Sequence, residues 1–331
     1  MSQVGIDFLN IRGIRGKIHE VNKHLDENSP DIFCLAETFL RSNNKPRDLH
    51  TRYNWVGKCR GKNDKDKGGI GISYKDELQI LDENLIESQN DEYERLWILV
   101  RLNGTKTAIG VAYFPNDGVN KVATDKLFYE LLENCSLFRS CGYEVCLTGD
   151  FNGRCLDKCE LTGETILSTK TNSYNGVRSL QFVEATALTV ANSVDCCQGF
   201  FTRILNNQKS AIDYILLSKD MADTVCTMYI DEEGHFDLHS DHVILSIKLK
   251  KLDDHRKKSC DVDNRSFWKI TDTTDWEFFC KNLVSNFNEN WSGDSNDINE
   301  IWSIWKEKVN RAAELVIKKV PMVKKLSEFL G

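Results

Sequence analysis

The stretch Glu144-Val145-Cys146-Leu147-Thr148-Gly149-Asp150-Phe151-Asn152 joins an apolar run, which predicts a β-strand, to a polar end. Gly149 allows the chain to turn there, and Asp150 can orient a water molecule. Asn152 lies on the same side as Asp150 if the segment is extended, because side chains alternate along a strand. The stretch therefore predicts a strand that brings an acid and an amide to the edge of a sheet.

Other polar residues stand beside apolar runs that also predict strands. They are Asn10 in Val4–Ile11, Glu37 after Asp31–Ala36, Asp213 in Ala211–Leu217, and Ser240-Asp241-His242 before Val243–Leu249. In a layered sheet protein, residues at strand ends gather at one edge of the sheet. We therefore expect these side chains to meet, although they are far apart in sequence.

The pattern of elements predicts an α/β fold. Lys17–Asn28 has helical spacing between two strands, and Asn103-Gly104 predicts a hairpin between Leu96–Leu102 and Thr107–Tyr113. Further helices are expected at Asp125–Arg139 and Ser179–Ala187. Since strands outnumber helices and the two alternate irregularly, we predict two packed mixed sheets flanked by helices, a four-layer α/β sandwich, over residues 1–252.

The composition changes after this domain. Residues 253–265 are charged and polar, as in a linker, and residues 266–331 hold five of the seven tryptophans. Apolar residues recur at helical spacing from Trp276 to Phe287, after a cap at Thr274 or Asp275, and again from Ile298 to Val316. This predicts a Trp-rich helical extension. Its apolar faces either pack within the protein or bind a partner.

The bulk composition excludes few classes of protein. The net charge is −7, which counts against strong nucleic-acid binding, but residues 41–67 carry nine Lys and Arg against three acids, and a basic loop can steer DNA. Residues 76–94 carry eight acids and no Lys or Arg, as on a solvated face. No apolar run is long enough to cross a membrane, and no signal peptide is apparent. We expect an intracellular protein, in the nucleus, the cytoplasm or both, with no membrane partner.

The residues at the strand ends suit phosphodiester hydrolysis. That reaction needs charge neutralisation on the phosphate, an activated water and help for the leaving oxygen. Glu37 can bind a hard cation such as Mg²⁺, and Asp150 can orient the water. Asp213 can orient His242 and keep it cationic. Tyr113 and Asn116, in Tyr113-Phe114-Pro115-Asn116 at another strand end, can hydrogen-bond a phosphate.

The short sequence segments around these polar residues, taken in their order along the chain, resemble those of the endonuclease/exonuclease/phosphatase superfamily. Within it, they are similar to the apurinic-type endonuclease domain of LINE (non-LTR) retrotransposons. The resemblance covers roughly residues 1–250 and rests on Leu9-Asn10-Ile11-Arg12-Gly13, Ala36-Glu37-Thr38, Tyr113-Phe114-Pro115-Asn116, Gly149-Asp150-Phe151-Asn152-Gly153-Arg154, Phe201-Thr202-Arg203, Ser210-Ala211-Ile212-Asp213-Tyr214 and Ser240-Asp241-His242.

This resemblance implies a role for each residue. Glu37 would bind Mg²⁺, for which Mn²⁺ substitutes, with Asn10 and Asp241 near the ion. The catalytic residues would be Asp150, Asn152, His242, Asp213 and Tyr113. Contacts to phosphate or DNA would come from Asn116, Thr202, Ser210 and Arg12. Arg12 stands where the repair enzymes of the superfamily place an acid.

The implied activity is DNA nicking that leaves 3′-hydroxyl and 5′-phosphate ends. The extension is similar to the segment that joins such a domain to a reverse transcriptase, so we expect a chain truncated before that domain, with the polymerase or another protein as a partner of the helices. Two alternatives stay open at this point. One is an abasic-site endonuclease or phosphatase of the same superfamily, and the other is an inactive, domesticated interaction module.

Overall fold

The structure is a computed structural model, and it describes residues 3–60, 68–82, 94–159, 162–168, 173–206, 208–250, 266–269, 275–288, 298–316 and 318–321. The chain divides into two compact units, residues 1–259 and 260–331. The predicted linker, residues 253–265, and the possible cap Thr274 lie outside the described residues. Among the described residues, no helix is long and apolar enough to span a membrane.

One large sheet of the first unit has seven strands. They are β1 (Gln3–Asn10), β2 (Ile32–Ala36), β3 (Tyr53–Lys58), β4 (Ile70–Lys75), β12 (Cys197–Gln198), β16 (Val225–Ile230) and β17 (Leu245–Lys250). Their order is β12-β16-β17-β1-β2-β4-β3. β1 runs parallel to β2 and antiparallel to β17, so the sheet is mixed.

The second large sheet has six strands. They are β5 (Gln79–Asp82), β6 (Glu94–Leu102), β7 (Thr105–Tyr113), β8 (Glu144–Asp150), β11 (Thr189–Val190) and β15 (Asp213–Leu217). Their order is β11-β15-β8-β7-β6-β5, with β7 parallel to β8 and antiparallel to β6. The turn between β6 and β7 contains Asn103 and Gly104, both with positive φ, as the hairpin prediction requires.

The two sheets pack face to face through apolar side chains. Ile6 and Phe8 of β1 belong to one buried cluster with Ile98 of β6, Val111 of β7 and Ile215 of β15. Buried apolar area of this kind is the main favourable contribution to folding. The alternate residues of β1 face the other side of its sheet, since side chains alternate along a strand.

Helices cover the outer faces of both sheets. α1 (Ile18–Asn28) buries Val21 and Leu25 beside Leu9 and Phe33, and it ends at Ser29 in the left-handed conformation. On the second sheet, α2 (Lys121–Ser140) and α3 (Tyr174–Thr186) supply aromatic side chains, such as Phe138 stacked edge-on against Trp97 of β6. The predicted fold class, two mixed sheets flanked by helices, is confirmed.

Shorter elements complete the first unit. They are the hairpin of β9 (Leu156–Lys158) and β10 (Thr165–Leu167), the hairpin of β13 (Arg203–Leu205) and β14 (Gln208–Ser210), the short helix α4 (Lys219–Ala222), and 3-10 turns at Arg15–Lys17 and Ala191–Ser193. The β13–β14 hairpin matters most here, because it brings Arg203 opposite His242 in an isolated bridge.

The described residues of the second unit form two helices and a two-stranded sheet. The helices are α5 (Trp276–Asn288) and α6 (Ile298–Glu314), and the strands are β18 (Ser266–Lys269) and β19 (Lys318–Pro321). Asp275 caps α5, since its carboxylate accepts a hydrogen bond of 2.9 Å from the backbone N–H of Phe278. Trp276 and Trp305 are each more than two-fifths exposed.

Candidate active site

Four polar residues form one row across the second sheet. Glu94 on β6 is paired with Tyr113 on β7, Tyr113 with Asp150 on β8, and Asp150 with Asp213 on β15. Directly paired residues project from the same face of a sheet, so all four side chains point to one side. The register alone therefore brings together residues that span more than a hundred positions of the sequence.

The backbone just beyond the strand ends is unusual. Arg12, Glu37, Asn152 and His239 all have φ between 46° and 52°. This left-handed region is costly for residues other than glycine, and such strain concentrates at functional sites. Each of these residues lies within two positions of a strand end or of Ser240-Asp241-His242. Strained backbone therefore clusters around the strand ends that carry the polar residues.

Asp150 lies at the centre of the site. Its carboxylate accepts hydrogen bonds of 2.9 Å from the Asn10 side-chain amide and of 2.9 Å from the backbone N–H of Asn152. Asp150 is almost fully buried. This burial, with a smaller contribution from the charge of Asp213, raises the pKa of Asp150 to about 7. A carboxylate with this pKa is suited to accept a proton near neutral pH.

Asp213 orients His242 from the other side. Its two oxygens lie 3.0 and 2.9 Å from Nδ1 of the imidazole, and the Thr202 hydroxyl donates to the same carboxylate over 2.6 Å. The Thr202 oxygen in turn accepts from the backbone N–H groups of Ile212 and Asp213, each at 3.0 Å. The carboxylate is therefore fixed, and Nε2 of His242 faces Asp150 Oδ2 at 3.9 Å.

His242 carries a positive charge at neutral pH. Burial by itself would lower its pKa, but the adjacent Asp213 carboxylate, and to a smaller extent Asp150, raise the pKa of His242 to about 9. Its position is held by Ser240, whose hydroxyl accepts from the His242 backbone N–H over 3.2 Å and donates to the Asn10 carbonyl over 2.6 Å. An imidazolium beside Asp150 can stabilise an anionic phosphate.

Glu37 and Tyr113 form a second part of the site. The Tyr113 hydroxyl is hydrogen-bonded to Glu37, and burial together with the charges of Glu37 and Asp150 keeps the pKa of Tyr113 well above its ordinary value. Tyr113 is therefore a neutral hydrogen-bond donor. Behind it, the Arg60 guanidinium lies 5.6 Å from the tyrosine ring centre and 3.3 Å from the buried Glu94 carboxylate.

Asp241 lies between two arginines. Nη1 of Arg12 is 2.8 Å from one carboxylate oxygen and Nε of Arg203 is 2.8 Å from the other. Burial would raise the pKa of Asp241, but the two guanidinium groups and His242 outweigh burial, and the pKa is lowered. Arg12 also approaches Glu37, with Nε 4.0 Å from Oε2.

A groove opens beside these residues. Its volume is about 720 Å³, and its lining includes Asn152, Arg154, Ser173, Arg203 and Ser210. Two of these side chains are cationic, and Ser173 caps the N-terminus of α3 through a 3.1 Å hydrogen bond from Gly176. Asp117 and Asp157 also line the groove, so the two arginines are matched by two acids.

The structure brings together most of the predicted site residues. Asn10, Asp150, Asn152, Thr202, Asp213 and His242 form one hydrogen-bonded network with Ser240, while Arg12, Glu37, Tyr113 and Asp241 border it through ion pairs and a hydrogen bond. Ser210 lines the groove. Asn116 is instead exposed in the turn after β7, where its carbonyl accepts from Val119.

Three neighbours of the site have no role in the sequence prediction. They are Arg60, Glu94 and Arg203. Arg203 directly follows Thr202 in the quoted block, which is the signal that could have found it. Glu94 closes the acidic run interpreted as a solvated face, yet its carboxylate is fully buried and accepts a 2.7 Å hydrogen bond from the Gly69 backbone.

The donor chemistry fits a hard divalent ion. Among the described residues, one group of three His, Cys, Asp or Glu side chains has ligand atoms within 4.8 Å of one another, namely Asp150, Asp213 and His242. A protonated His242 does not bind a cation, so this group suits proton transfer better. The Glu37 and Asp241 carboxylates and the Asn10 side-chain carbonyl would supply oxygen atoms, which Mg²⁺ and Mn²⁺ prefer.

Residues 8–242 match the Endonuclease/Exonuclease/phosphatase family. The chain belongs to this family. Its members are nucleases and phosphatases that depend on divalent metal ions. No curated protein matches the chain. The matched residues include every strand end described above, from Asn10 to His242.

Solved structures share the fold of this family member. An AP endonuclease from Archaeoglobus fulgidus is 17% identical with a TM-score of 0.54, over 75% of this chain and 99% of that one. A 3′-5′ exonuclease from Neisseria meningitidis is 20% identical with a TM-score of 0.55, over 75% and 100%. The endonuclease domain of TRAS1, a telomere-specific non-LTR retrotransposon, is 13% identical with a TM-score of 0.50, over 75% and 99%. These values establish a common fold.

Proposed function

We propose that this chain is a divalent-metal-dependent endonuclease that nicks DNA, of the kind found in non-LTR retrotransposons. The observation that carries the proposal is the network of Asn10, Asp150, His242, Asp213 and Thr202. In this network a carboxylate of near-neutral pKa faces an imidazolium, an arrangement that suits a bound phosphate and an attacking water. The ordered sequence blocks and the likeness to the TRAS1 domain support the retrotransposon assignment.

The residues divide the work of the reaction. Asp150, held by Asn10 and Asn152, accepts the proton of the attacking water, since its pKa of about 7 allows both forms near neutral pH. His242, held by Asp213, donates a hydrogen bond to a phosphate oxygen. Tyr113 donates a further hydrogen bond to the phosphate or to the leaving oxygen. Glu37 would hold Mg²⁺, which neutralises developing negative charge when it is bound.

The DNA would lie across the groove beside Asn152. Arg154 and Arg203 line it and would contact phosphates, although Asp117 and Asp157 also line it and the whole chain carries a net charge of −7. The hydrolysis would leave a 3′-hydroxyl and a 5′-phosphate. The helices α5 and α6 would then serve a protein partner, such as a reverse transcriptase domain.

The test is nicking of supercoiled plasmid by the purified chain. We expect open circles with Mg²⁺ and none with EDTA, and loss of nicking in Asp150→Ala and His242→Ala. Mapping the ends should show 3′-hydroxyl and 5′-phosphate groups. A duplex with one abasic site and a primer with a 3′-phosphate are tested as alternative substrates. Preferential cleavage of the abasic duplex would show that the substrate is an abasic site. Phosphate release without nicking would show that the chain is a phosphatase.

A further inference from the structure

The Arg12 guanidinium lies between two carboxylates assigned to the ion. Nη1 is 2.8 Å from Asp241 Oδ1, and Nε is 4.0 Å from Glu37 Oε2. The side chain of Asp241 is only 6% exposed and that of Glu37 16% exposed, whereas that of Arg12 is 49% exposed. A cation thus sits on the open side of two largely buried anions.

The local charges cancel. Arg203 binds the second oxygen of Asp241 at 2.8 Å, so two arginines face the two carboxylates Glu37 and Asp241. Metal sites usually gain affinity from an excess of negative charge on their ligands. Here the formal charge of these four side chains is zero, and a divalent ion meets two fixed positive charges near its ligands.

The conformation of Arg12 is imposed by the backbone. Its φ is 46°, and its backbone N–H donates to Asn10 Oδ1 over 3.3 Å. Because the turn is fixed from both ends, by Asn10 before it and by the bond from the Gly13 N–H to the Glu37 carbonyl after it, the side chain leaves the backbone beside Glu37. The fold therefore fixes where the Arg12 side chain starts, beside Glu37, although the long side chain can still change its rotamer.

We infer that Arg12 is an internal counter-cation that competes with the divalent ion for Glu37 and Asp241. This inference rests on the proposed function, because it takes the ion to bind at Glu37. Arg12 weakens ion binding to the free protein, and it reduces the repulsion between the two carboxylates when no ion is bound. A long, half-exposed side chain can leave this position without unpacking any apolar contact, and an incoming phosphate offers it a new partner.

The experiment measures Mn²⁺ binding to the full chain, without DNA, by calorimetry and by the loss of the free-ion EPR signal. We expect Arg12→Gln to bind Mn²⁺ about tenfold or more tightly than the unchanged protein, since a charge within a few ångströms of the ion is removed. Arg12→Lys keeps the charge and should restore weak binding. Arg203→Gln should also bind more tightly, because it frees the other oxygen of Asp241.

Arg15→Gln is the matched control. Arg15 is exposed three positions away, and its loss changes the net charge equally, so it should leave Mn²⁺ affinity within about twofold of the unchanged protein, as expected of a distant solvated charge. Far-UV circular dichroism confirms that each variant is folded. Equal or weaker Mn²⁺ binding by folded Arg12→Gln would overturn the inference.

Glu37→Gln separates this inference from the proposed function. If Glu37→Gln loses Mn²⁺ binding while Arg12→Gln binds as the unchanged protein does, the ion site stands and only the role of Arg12 is overturned. If Glu37→Gln binds Mn²⁺ like the unchanged protein, the ion is not held at Glu37 and the inference about Arg12 is overturned, while plasmid nicking still decides the proposed endonuclease function. Tighter Mn²⁺ binding by Arg12→Gln together with loss of Mn²⁺ binding in Glu37→Gln supports both the ion site at Glu37 and the role of Arg12.

Discussion

Asp150 and Asp241 belong to the same site, yet their surroundings move their pKa values in opposite directions. Asp150 is buried beside a second acid, Asp213, with one imidazolium for the pair, and its pKa rises to about 7. Asp241 is also buried, but two arginines and His242 outweigh burial, and its pKa is lowered. One aspartate can therefore exchange a proton near neutral pH, while the other stays a fixed anion.

This contrast separates proton transfer from charge neutralisation. Among the described residues around Asp150 and Asp213, only one cation, His242, lies near the two acids, so the Asp150 carboxylate can act as a base. Around Asp241 and Glu37, in contrast, Arg12 and Arg203 balance the two carboxylates with two guanidinium groups. Changing the residues of one group at a time tests this difference.

Asp150→Asn should have the largest effect on activity. It removes the proposed base but keeps the shape and a hydrogen-bond acceptor, so nicking should fall by about 10³–10⁴-fold. The measurement is the single-turnover nicking rate at saturating Mg²⁺. Asp195→Asn, at an exposed position, should nick at the unchanged rate. A loss of less than tenfold in Asp150→Asn would contradict its role as base.

Asp213→Asn should have the next largest effect. It removes the anion that raises the pKa of His242, and burial then lowers that pKa, so the nicking rate should fall by about 10²–10³-fold. In the unchanged protein the rate should rise as pH passes about 7 and fall as pH passes about 9. In Asp213→Asn the alkaline fall should move to lower pH. The same fall should move less in Asp241→Asn, whose contribution to the His242 pKa is smaller; equal movement would contradict the division of the site.

Thr202→Val should have a moderate effect. It removes the donor to Asp213 and leaves the N–H groups of Ile212 and Asp213 without an acceptor, which costs about 1–3 kcal/mol in the free energy of unfolding. Nicking should fall by about tenfold, as for a lost hydrogen bond to a charged group. Thr202→Ser keeps the hydroxyl and should restore most of both losses. Urea unfolding measures the change in stability and nicking rates measure the change in activity. Unchanged stability and activity in Thr202→Val would contradict the role of this hydroxyl.

The smallest effect is a gain of stability. Since the folded pKa of Asp150 is raised above its unfolded value, the fold loses stability as pH rises from about 4 to about 7, and this loss then stays constant at higher pH. Asp150→Asn should therefore raise the free energy of unfolding at pH 8 by about 1–3 kcal/mol, and this gain should shrink as pH falls through 7 toward 4. Calorimetric melting at pH 8 and pH 4.5 measures it. A gain independent of pH would show that burial of the charge is not its cause.

The sequence predicted the parts of the fold that have a strong pattern. The hairpin at Asn103-Gly104 and the strand that ends at Asp150 form as expected, and the fold class is confirmed. The strands β3 and β16 were not predicted. In β3, Asn54, Gly57 and Lys58 weaken the strand pattern, whereas β16 is almost entirely apolar and was overlooked. α2 begins at Lys121, four residues before its predicted start, because Asn120 caps it through the Ala123 N–H.

The candidate site was predicted by residue type but not by arrangement. Sequence order shows which acids follow strands, and the resemblance supplied their roles. Sequence order does not show the strand register that aligns Glu94 with Tyr113. It also does not show the left-handed backbone of Arg12 or the contacts of its guanidinium with Glu37 and Asp241. Ion pairs of long side chains, such as Arg203 with Asp241, depend on tertiary packing and leave no periodic signal.

The most direct test is the ¹³C NMR titration of the Asp150 carboxyl in the metal-free protein, assigned by the signal that Asp150→Asn removes. We predict a midpoint near pH 7 for Asp150, which should move downward when Asp213 is replaced by Asn. A midpoint close to the ordinary aspartate value of about 4 would contradict it. Asp150 would then be fully ionised at neutral pH, and its contrast with Asp241 would not exist.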